Sequence, residues 1–289
     1  MSSFITAATY ELIWPNTVGT TYLIGPALGL KHISLDGTGV PGVNRKFSPY
    51  ASDGGYDDGF QLATRRMIWK LNISAETETE FDTVRALVFT VFRPLQNPYK
   101  LKVTRADGAV RQIDCFVDGS IDIALGNGFT AIVTVPLVAP DPLWYDPTQV
   151  IATFNTFPAT SFTINYAGTW YEWPIIRIDG QLADLYMINT IGTSVPFGTR
   201  QGELDMRPSG IVFGEYYIFD TRPAQKTVVD SSGANVLNVA LPTFNRFPEF
   251  RLWPEPWNVG GSNVITVSHG TAGAGASVEF QYYNRYIAL

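Results

Sequence analysis

A single cysteine, Cys115, stands in the whole chain, so no intramolecular disulfide can staple it and the fold must rest on a buried core. Within the alternating run Ile113-Asp114-Cys115-Phe116-Val117 it reads as a small core residue rather than a nucleophile. Histidine is nearly as scarce. His32 and His269 lie far apart, with no metal-ligand spacing and no carboxylate or cysteine beside them. Charged residues make up only 16%, and the net charge of −6 opposes a general phosphate-binding surface. No apolar run reaches the ~20 residues of a membrane span, and Met1-Ser2-Ser3-Phe4-Ile5 lacks the features of a secretory leader. A soluble, cytosolically made product without membrane insertion is the expectation. Nucleophile elbow, zinc pattern and phosphate loop are all missing. Gly270-Thr271-Ala272-Gly273-Ala274-Gly275-Ala276 lacks the Lys-Ser/Thr that would hold a phosphate and Mg²⁺. No enzyme activity and no cofactor are expected.

What the chain does hold is apolar and aromatic. Hydrophobic content of 45%, with 18 Phe, 14 Tyr and 7 Trp beside 26 Gly and 19 Pro, points to a folded, mainly β protein rich in turns. A chain of 289 residues has room for two domains, each with its own core. The seam is Ala139-Pro140-Asp141-Pro142-Leu143-Trp144-Tyr145-Asp146-Pro147. Three prolines at this density stop a helix and keep a strand to an edge or an end, so the chain must turn here. Residues 1–147 and 148–289 are the expected domains. Trp144 and Tyr145, the aromatics of the seam, are expected to pack between them.

In the first half one helix is predicted, over 76–93. Phe81, Val84, Val88, Val91, Phe92 and Leu95 recur at spacings of three and four, the stripe of a helix laid on a sheet. Thr77 and Glu80 have capping-box spacing, Glu76, Glu78 and Glu80 suit the positive end of the helix dipole, and Pro94 marks the stop. Residues 61–73 read as one strand, and in Arg65-Arg66 alternation sends the two cations to opposite faces. Asp107-Gly108 predicts a two-residue hairpin turn, and Gly126-Asn127-Gly128 a second hairpin. The segments 36–44 and 52–59 are so rich in Gly, Asp and Pro that loops are expected. Asp36, Asn44, Asp53 and Tyr56 mark them as a partner-contacting excursion. Asp53, Asp57 and Asp58 are carboxylates of the kind calcium takes, but their spacing misses the EF-hand pattern.

After the seam, short alternating segments are expected at 151–154, 161–165, 173–179, 185–189, 211–220, 227–229, 236–241, 249–253, 263–267 and 278–286. This spacing, without a helical stripe, predicts a β-sandwich or jelly-roll-like domain. In Trp253-Pro254-Glu255-Pro256-Trp257-Asn258, Trp253 and Trp257 could form an aromatic platform for a sugar or a protein, or could be buried at a sandwich corner.

Several pieces, in this order, carry a resemblance. They are Tyr99-Lys100-Leu101-Lys102-Val103 with its Asp107-Gly108 turn, the run from Val135-Pro136-Leu137 through Trp144-Tyr145, and Pro174-Ile175-Ile176-Arg177-Ile178-Asp179-Gly180. Tyr217-Ile218-Phe219-Asp220-Thr221-Arg222, Gly260-Gly261-Ser262-Asn263-Val264-Ile265-Thr266-Val267 and Tyr282-Tyr283-Asn284-Arg285-Tyr286 complete the set. Together they resemble the distal tail protein (Dit) family of siphoviruses, the phage tail component family. The resemblance implies an N-terminal β-rich ring-forming domain with one packed α-helix, assembled as a homohexamer that continues the tube lumen. It implies a C-terminal galectin-like β-sandwich on the outside. The protein would then be a structural hub at the virion tail tip, joining the tail tube protein to a baseplate or tail-tip fibre protein. DNA passing through the lumen would be its only nucleic-acid neighbour. The His-Asn-Arg and Trp-Glu sugar-binding pattern of true galectins is absent. A host-glycan receptor-binding module and a two-carboxylate glycosidase are the competing readings.

Overall fold

The computed structural model describes residues 8–15, 19–49, 55–155, 161–183, 185–190, 203–205, 210–211, 215–223, 225–236, 250–255, 257–270, 272 and 275–289. The chain divides into two compact units, Met1–Pro147 with Ile287–Leu289, and Thr148–Tyr286. Residues 287–289 thus belong with the first unit and not with the sandwich they follow in sequence.

The first unit contains β1 (Thr9–Ile13), β2 (Thr21–Ile24), β3 (Leu30–Asp36), β4 (Val43–Pro49), β5 (Gly55–Leu62), β6 (Arg65–Ser74), α1 (Glu78–Val91), β7 (Tyr99–Thr104), β8 (Val110–Val117), β9 (Asp122–Leu125), β10 (Thr130–Ala139) and β11 (Trp144–Tyr145). Its main sheet has the order β2-β1-β7-β8-β10-β6-β3, with β9 beside β10 and β11 beside β8. Period-two alternation decides which face is buried. Met67, Trp69, Leu71 and Ile73 of β6, Leu101 and Val103 of β7, and Val133, Val135 and Leu137 of β10 all point into one core, and Cys115 joins them. Each such side chain contributes roughly 1.5–3 kcal/mol on burial. β8 and β10 share only the pairs Leu137↔Val117 and Val138↔Phe116, so the sheet folds over at that joint. Tyr10 of β1 consequently stacks on His32 of β3, with ring centroids 3.9 Å apart, although the two strands lie near opposite ends of the order.

The helix runs over Glu78–Val91 inside the predicted span. Thr77 Oγ1 accepts from the Glu80 N–H at 3.2 Å. The Glu80 carboxylate reaches back to the Glu76 N–H at 3.1 Å, one residue before the position a capping box would use. Phe81, Val88, Val91 and Phe92 are buried, and Phe92 stands edge-on to Trp69 at 5.8 Å. The stripe therefore meets the sheet it was expected to meet.

Three local expectations are corrected. Residues 36–58 are not all loop: β4 and β5 pair as a two-stranded ribbon, with Asn44 in β4 and Tyr56 in β5. Gly and Asp exclude a segment from a packed sheet, but a ribbon with no neighbouring strand need not bury either face. The register shifts between Lys46 and Phe47, and Gly59 opposite that step takes φ 102, a conformation glycine adopts without strain. The predicted strand over 61–73 is two strands, broken after Leu62. The Asp107-Gly108 turn is longer than two residues. Arg105 donates to the Ala109 carbonyl at 2.8 Å and Gly108 to the Arg105 carbonyl at 3.0 Å, with Gly108 at φ 82. This is a three-residue connection closed by a left-handed glycine.

The second unit contains β12 (Val150–Phe154), β13 (Ser161–Asn165), β14 (Ile175–Asp179), β15 (Leu182–Ala183), β16 (Tyr186–Thr190), β17 (Glu203–Asp205), β18 (Gly210–Ile211), β19 (Tyr216–Asp220), β20 (Thr227–Asp230), β21 (Ser262–Ser268) and β22 (Ser277–Tyr282). One sheet has the order β12-β22-β14-β19-β20 and the other β13-β21-β16-β17. Ile176, Ile178, Phe219, Val278 and Phe280 of the first sheet and Phe162, Ile164, Met187 and Ile265 of the second share one core. This is a β-sandwich. Phe154 stacks on Phe162 at 4.3 Å, and Phe250 on Phe280 at 6.2 Å. Phe250 and Leu252 are buried, but among the described residues of 250–253 the one pairing is the bridge Glu172↔Leu252 and not a strand. Much of the predicted strand over 236–241 lies outside the described residues.

Candidate assembly surface

The β4–β5 ribbon is the first unit's most distinctive surface feature. Val43 pairs with Leu62 and Arg45 with Phe60 across it. Side chains two apart share a face, so these four line one side. Val43 and Phe60 are 45% and 49% exposed, and the Arg45 guanidinium lies 5.9 Å from the Phe60 ring centre. An isolated two-stranded ribbon is marginal in water and gains stability when another surface packs on it. At its base, Ala63 donates to the Gly42 carbonyl at 2.8 Å. Of the four residues expected to mark a contact excursion, Asn44 and Tyr56 lie on this ribbon and Asp36 ends β3, on the approach to it. Asp53 lies outside the described residues. Beyond the ribbon, Ile33, Ile68 and Ile132, on β3, β6 and β10, are exposed at 47%, 44% and 46%.

No motif marks a special role for Arg65. Alternation sends it inward and Arg66 outward as expected, yet burial of a cation on the core face demands compensation. Arg65 is 2% exposed, and no carboxylate pairs with it among the described residues. Instead its guanidinium donates to four backbone carbonyls: Nε to Pro142 at 2.7 Å, Nη1 to Gly37 at 2.8 Å and Gly39 at 2.5 Å, and Nη2 to Ile287 at 2.7 Å. Burial lowers its pKa to about 10, which still leaves it charged at neutral pH. Trp144 is fully buried, its ring 6.0 Å from this guanidinium. Tyr145 donates to Asp114 at 2.6 Å and accepts from Lys100 at 2.9 Å. Burial and Asp114 push its phenol up to about 12. These contacts of the two seam aromatics are with residues of the first unit.

In the second unit Trp253 takes the buried alternative rather than that of a platform. That ring is 2% exposed and so offers no free face for stacking, and Trp257 meets it edge-on at 5.9 Å. Arg251 lies 4.7 Å from Tyr171, 4.9 Å from Trp173 and 5.7 Å from Trp253, filling the space between the rings. The loop is pinned from beneath by Asn263, which is fully buried. Its Oδ1 accepts from the Trp253 N–H at 2.7 Å and from the side chains of Asn189 and Asn258 at 3.0 Å each. Its Nδ2 donates to the carbonyls of Trp253 at 3.0 Å and Gly261 at 2.8 Å. Its partners Gly261, Asn258, Trp253 and Asn189 stand at no motif spacing from it, and only the fold gathers them around one side chain.

Among the described residues no group of three or more His, Cys, Asp or Glu side chains could hold a metal ion. The side chains of Asp53, Asp57 and Asp58 lie outside the described set. His32 accepts at Nδ1 from the Trp69 indole N–H at 3.0 Å, and burial lowers its pKa. Cys115 is fully buried, and desolvation pushes its thiol up to about 12, so it is not poised as a nucleophile.

No protein-family model matches the chain, and no curated protein matches it by sequence. Solved structures do match. The Dit (gp 19.1) protein of SPP1, described as a paradigm of the hub adsorption apparatus in phages infecting Gram-positive hosts, superposes with a TM-score of 0.62 at 15% identity, over 95% of this chain and 98% of that one. A chain of the phage p2 baseplate, in its activated conformation with Sr or with Ca, matches at a TM-score of 0.41 and 10% identity, over 98% of this chain and 100% of that one. From one end to the other, through a curled sheet with one helix and then a sandwich, the chain has the fold of a phage Dit protein.

Proposed function

We propose that the chain is a structural subunit of the distal tail of a long-tailed phage, a hub that assembles with copies of itself into a six-fold ring. The single observation that carries this reading is the correspondence of fold over nearly the full length of both chains, both units included, with a hub protein. The first unit is the ring-forming part and the β4–β5 ribbon its arm, laid on the neighbouring copy. The exposed apolar side chains of that arm, on a ribbon too thin to be stable alone, support the assignment. Closed cyclic assembly covers such surfaces without leaving a free one. The ring joins the tail tube protein on one side to a baseplate or tail-tip fibre protein on the other, with DNA passing through the lumen. Its place is the tip of the virion tail.

The test is imaging of the purified full chain by negative stain with mass measurement in solution. Six-fold rings are expected. Phe60→Glu combined with Val43→Glu should abolish them while leaving the circular dichroism spectrum and melting temperature of the subunit within about 2 °C of the original. A strict monomer at every concentration, or rings indifferent to the double variant, would overturn the assignment of the arm.

A further inference from the structure

Arg65 lies three residues beyond the ribbon, and two of its acceptors, Gly37 and Gly39, lie six and four residues before it. Both legs of the arm are therefore held by one side chain. The entry leg is pressed hard against the strand that carries Arg65: a Cβ on Gly37 would stand 2.2 Å from the Arg66 carbonyl oxygen, and Gly37 takes φ 85. Only glycine lets the chain approach so closely. The remaining acceptors are Pro142, in the proline-rich seam, and Ile287, which follows directly on the second unit in sequence. The segment after Ile287 continues the connection, for Leu289 donates to the Thr38 carbonyl at 3.1 Å. Three segments far apart in sequence thus converge on one planar, five-donor cation, which is a task a lysine cannot perform.

We propose that Arg65 is a latch that sets the posture of the β4–β5 arm and releases it when residues 287–289 are drawn away. The four carbonyls replace water around a buried charge, so each acceptor depends on the others. Removal of the Ile287 carbonyl leaves an N–H of a buried cation without its partner. Water then enters to solvate it and competes for Gly37 and Gly39, which loosens the entry leg of the arm. Residues 287–289 are covalently continuous with the second unit, so a pull on its last strand reaches the arm through this side chain. The inference stands on the geometry of the first unit and does not require the ring.

Hydrogen exchange on the full chain tests it, beside a variant ending at Tyr286, an Arg65→Lys variant and the two combined. The Tyr286-ended variant should speed exchange of the Ala63 amide and of residues 38–42 by about tenfold or more, with the β7–β8 hairpin unchanged within about twofold. Arg65→Lys should do the same, and the combination should add no more than about twofold, because both changes open one latch. Unchanged exchange at Ala63 in the shortened chain would overturn the proposal. Multiplying effects would overturn it too, and so would a uniform rise across the first unit, which would make Arg65 a general stability residue. If Arg65→Lys does not fold, the shortened chain decides alone, since it keeps Arg65.

Discussion

Replacing Asn263 should unfold the sandwich far below its normal temperature, and the way it does so should depend on pH. Asn263 is fully buried and makes five hydrogen bonds, accepting three and donating two. The Trp253 N–H can only donate, so the oxygen of the side chain is unambiguously the atom facing it. Asn263→Ala strands groups that each cost roughly 1–3 kcal/mol when buried without a partner. Relaxation and entering water recover part of this, so about 3–5 kcal/mol is expected, or about 10–15 °C in melting temperature for a unit of this size. Asn263→Asp is the sharper probe. It keeps the three acceptor contacts but sets a carboxylate oxygen against the carbonyls of Trp253 and Gly261, where a donor stood at 3.0 and 2.8 Å. Protonation restores one donor, so the folded state raises the carboxyl pKa above its unfolded value of about 3.9. The stability this recovers is fully present below that unfolded pKa and is lost as pH rises through the folded one. Calorimetry of the full chain between pH 4 and pH 8 should show the second unit of the Asp variant melting later as pH falls, relative to the Ala variant. A melting temperature lowered by less than about 3 °C in Asn263→Ala, or a flat difference between Asp and Ala across pH, would refute the reasoning.

Three further outcomes are expected. Trp144→Ala, at a fully buried ring beside the Arg65 guanidinium, should cost the first unit about 3–5 kcal/mol, read from urea unfolding of that unit. Burial depresses the folded-state pKa of His32 below the ordinary histidine value of about 6.5, so neutral His32 stabilises the first unit fully above about pH 6.5. That stability should be lost as pH falls toward the folded pKa, because a protonated Nδ1 cannot accept from Trp69, and His32→Gln should flatten this limb of the thermal profile. Thr77→Ala removes the cap that accepts from the Glu80 N–H and should cost about 1 kcal/mol; a change below about 0.3 kcal/mol would mean that tertiary packing alone holds the helix end.

Local patterns alone determined a good part of this protein. Residues 81, 84, 88, 91 and 92 marked the helix and its buried face, because a 3.6-residue period is written into neighbouring positions. Strand alternation placed Cys115 in the core and parted Arg65 from Arg66, since a period of two needs no knowledge of what lies opposite. The proline-dense stretch is visible in the sequence itself, and it runs up to Pro147, the residue before Thr148–Tyr286. Tertiary structure alone decided the rest. Glycine and aspartate in 52–59 argued correctly against a packed sheet but said nothing of a free ribbon, which only pairing with β4 creates. For Trp253 a platform and a buried corner were both open on sequence, and packing with Arg251 beside it decides for burial. Arg65 passed as an ordinary strand cation because its acceptors are main-chain carbonyls, which every residue possesses and no motif can mark. They come together only when segments as much as 222 positions apart meet, an encounter set by the curl of the sheet and the return of residues 287–289.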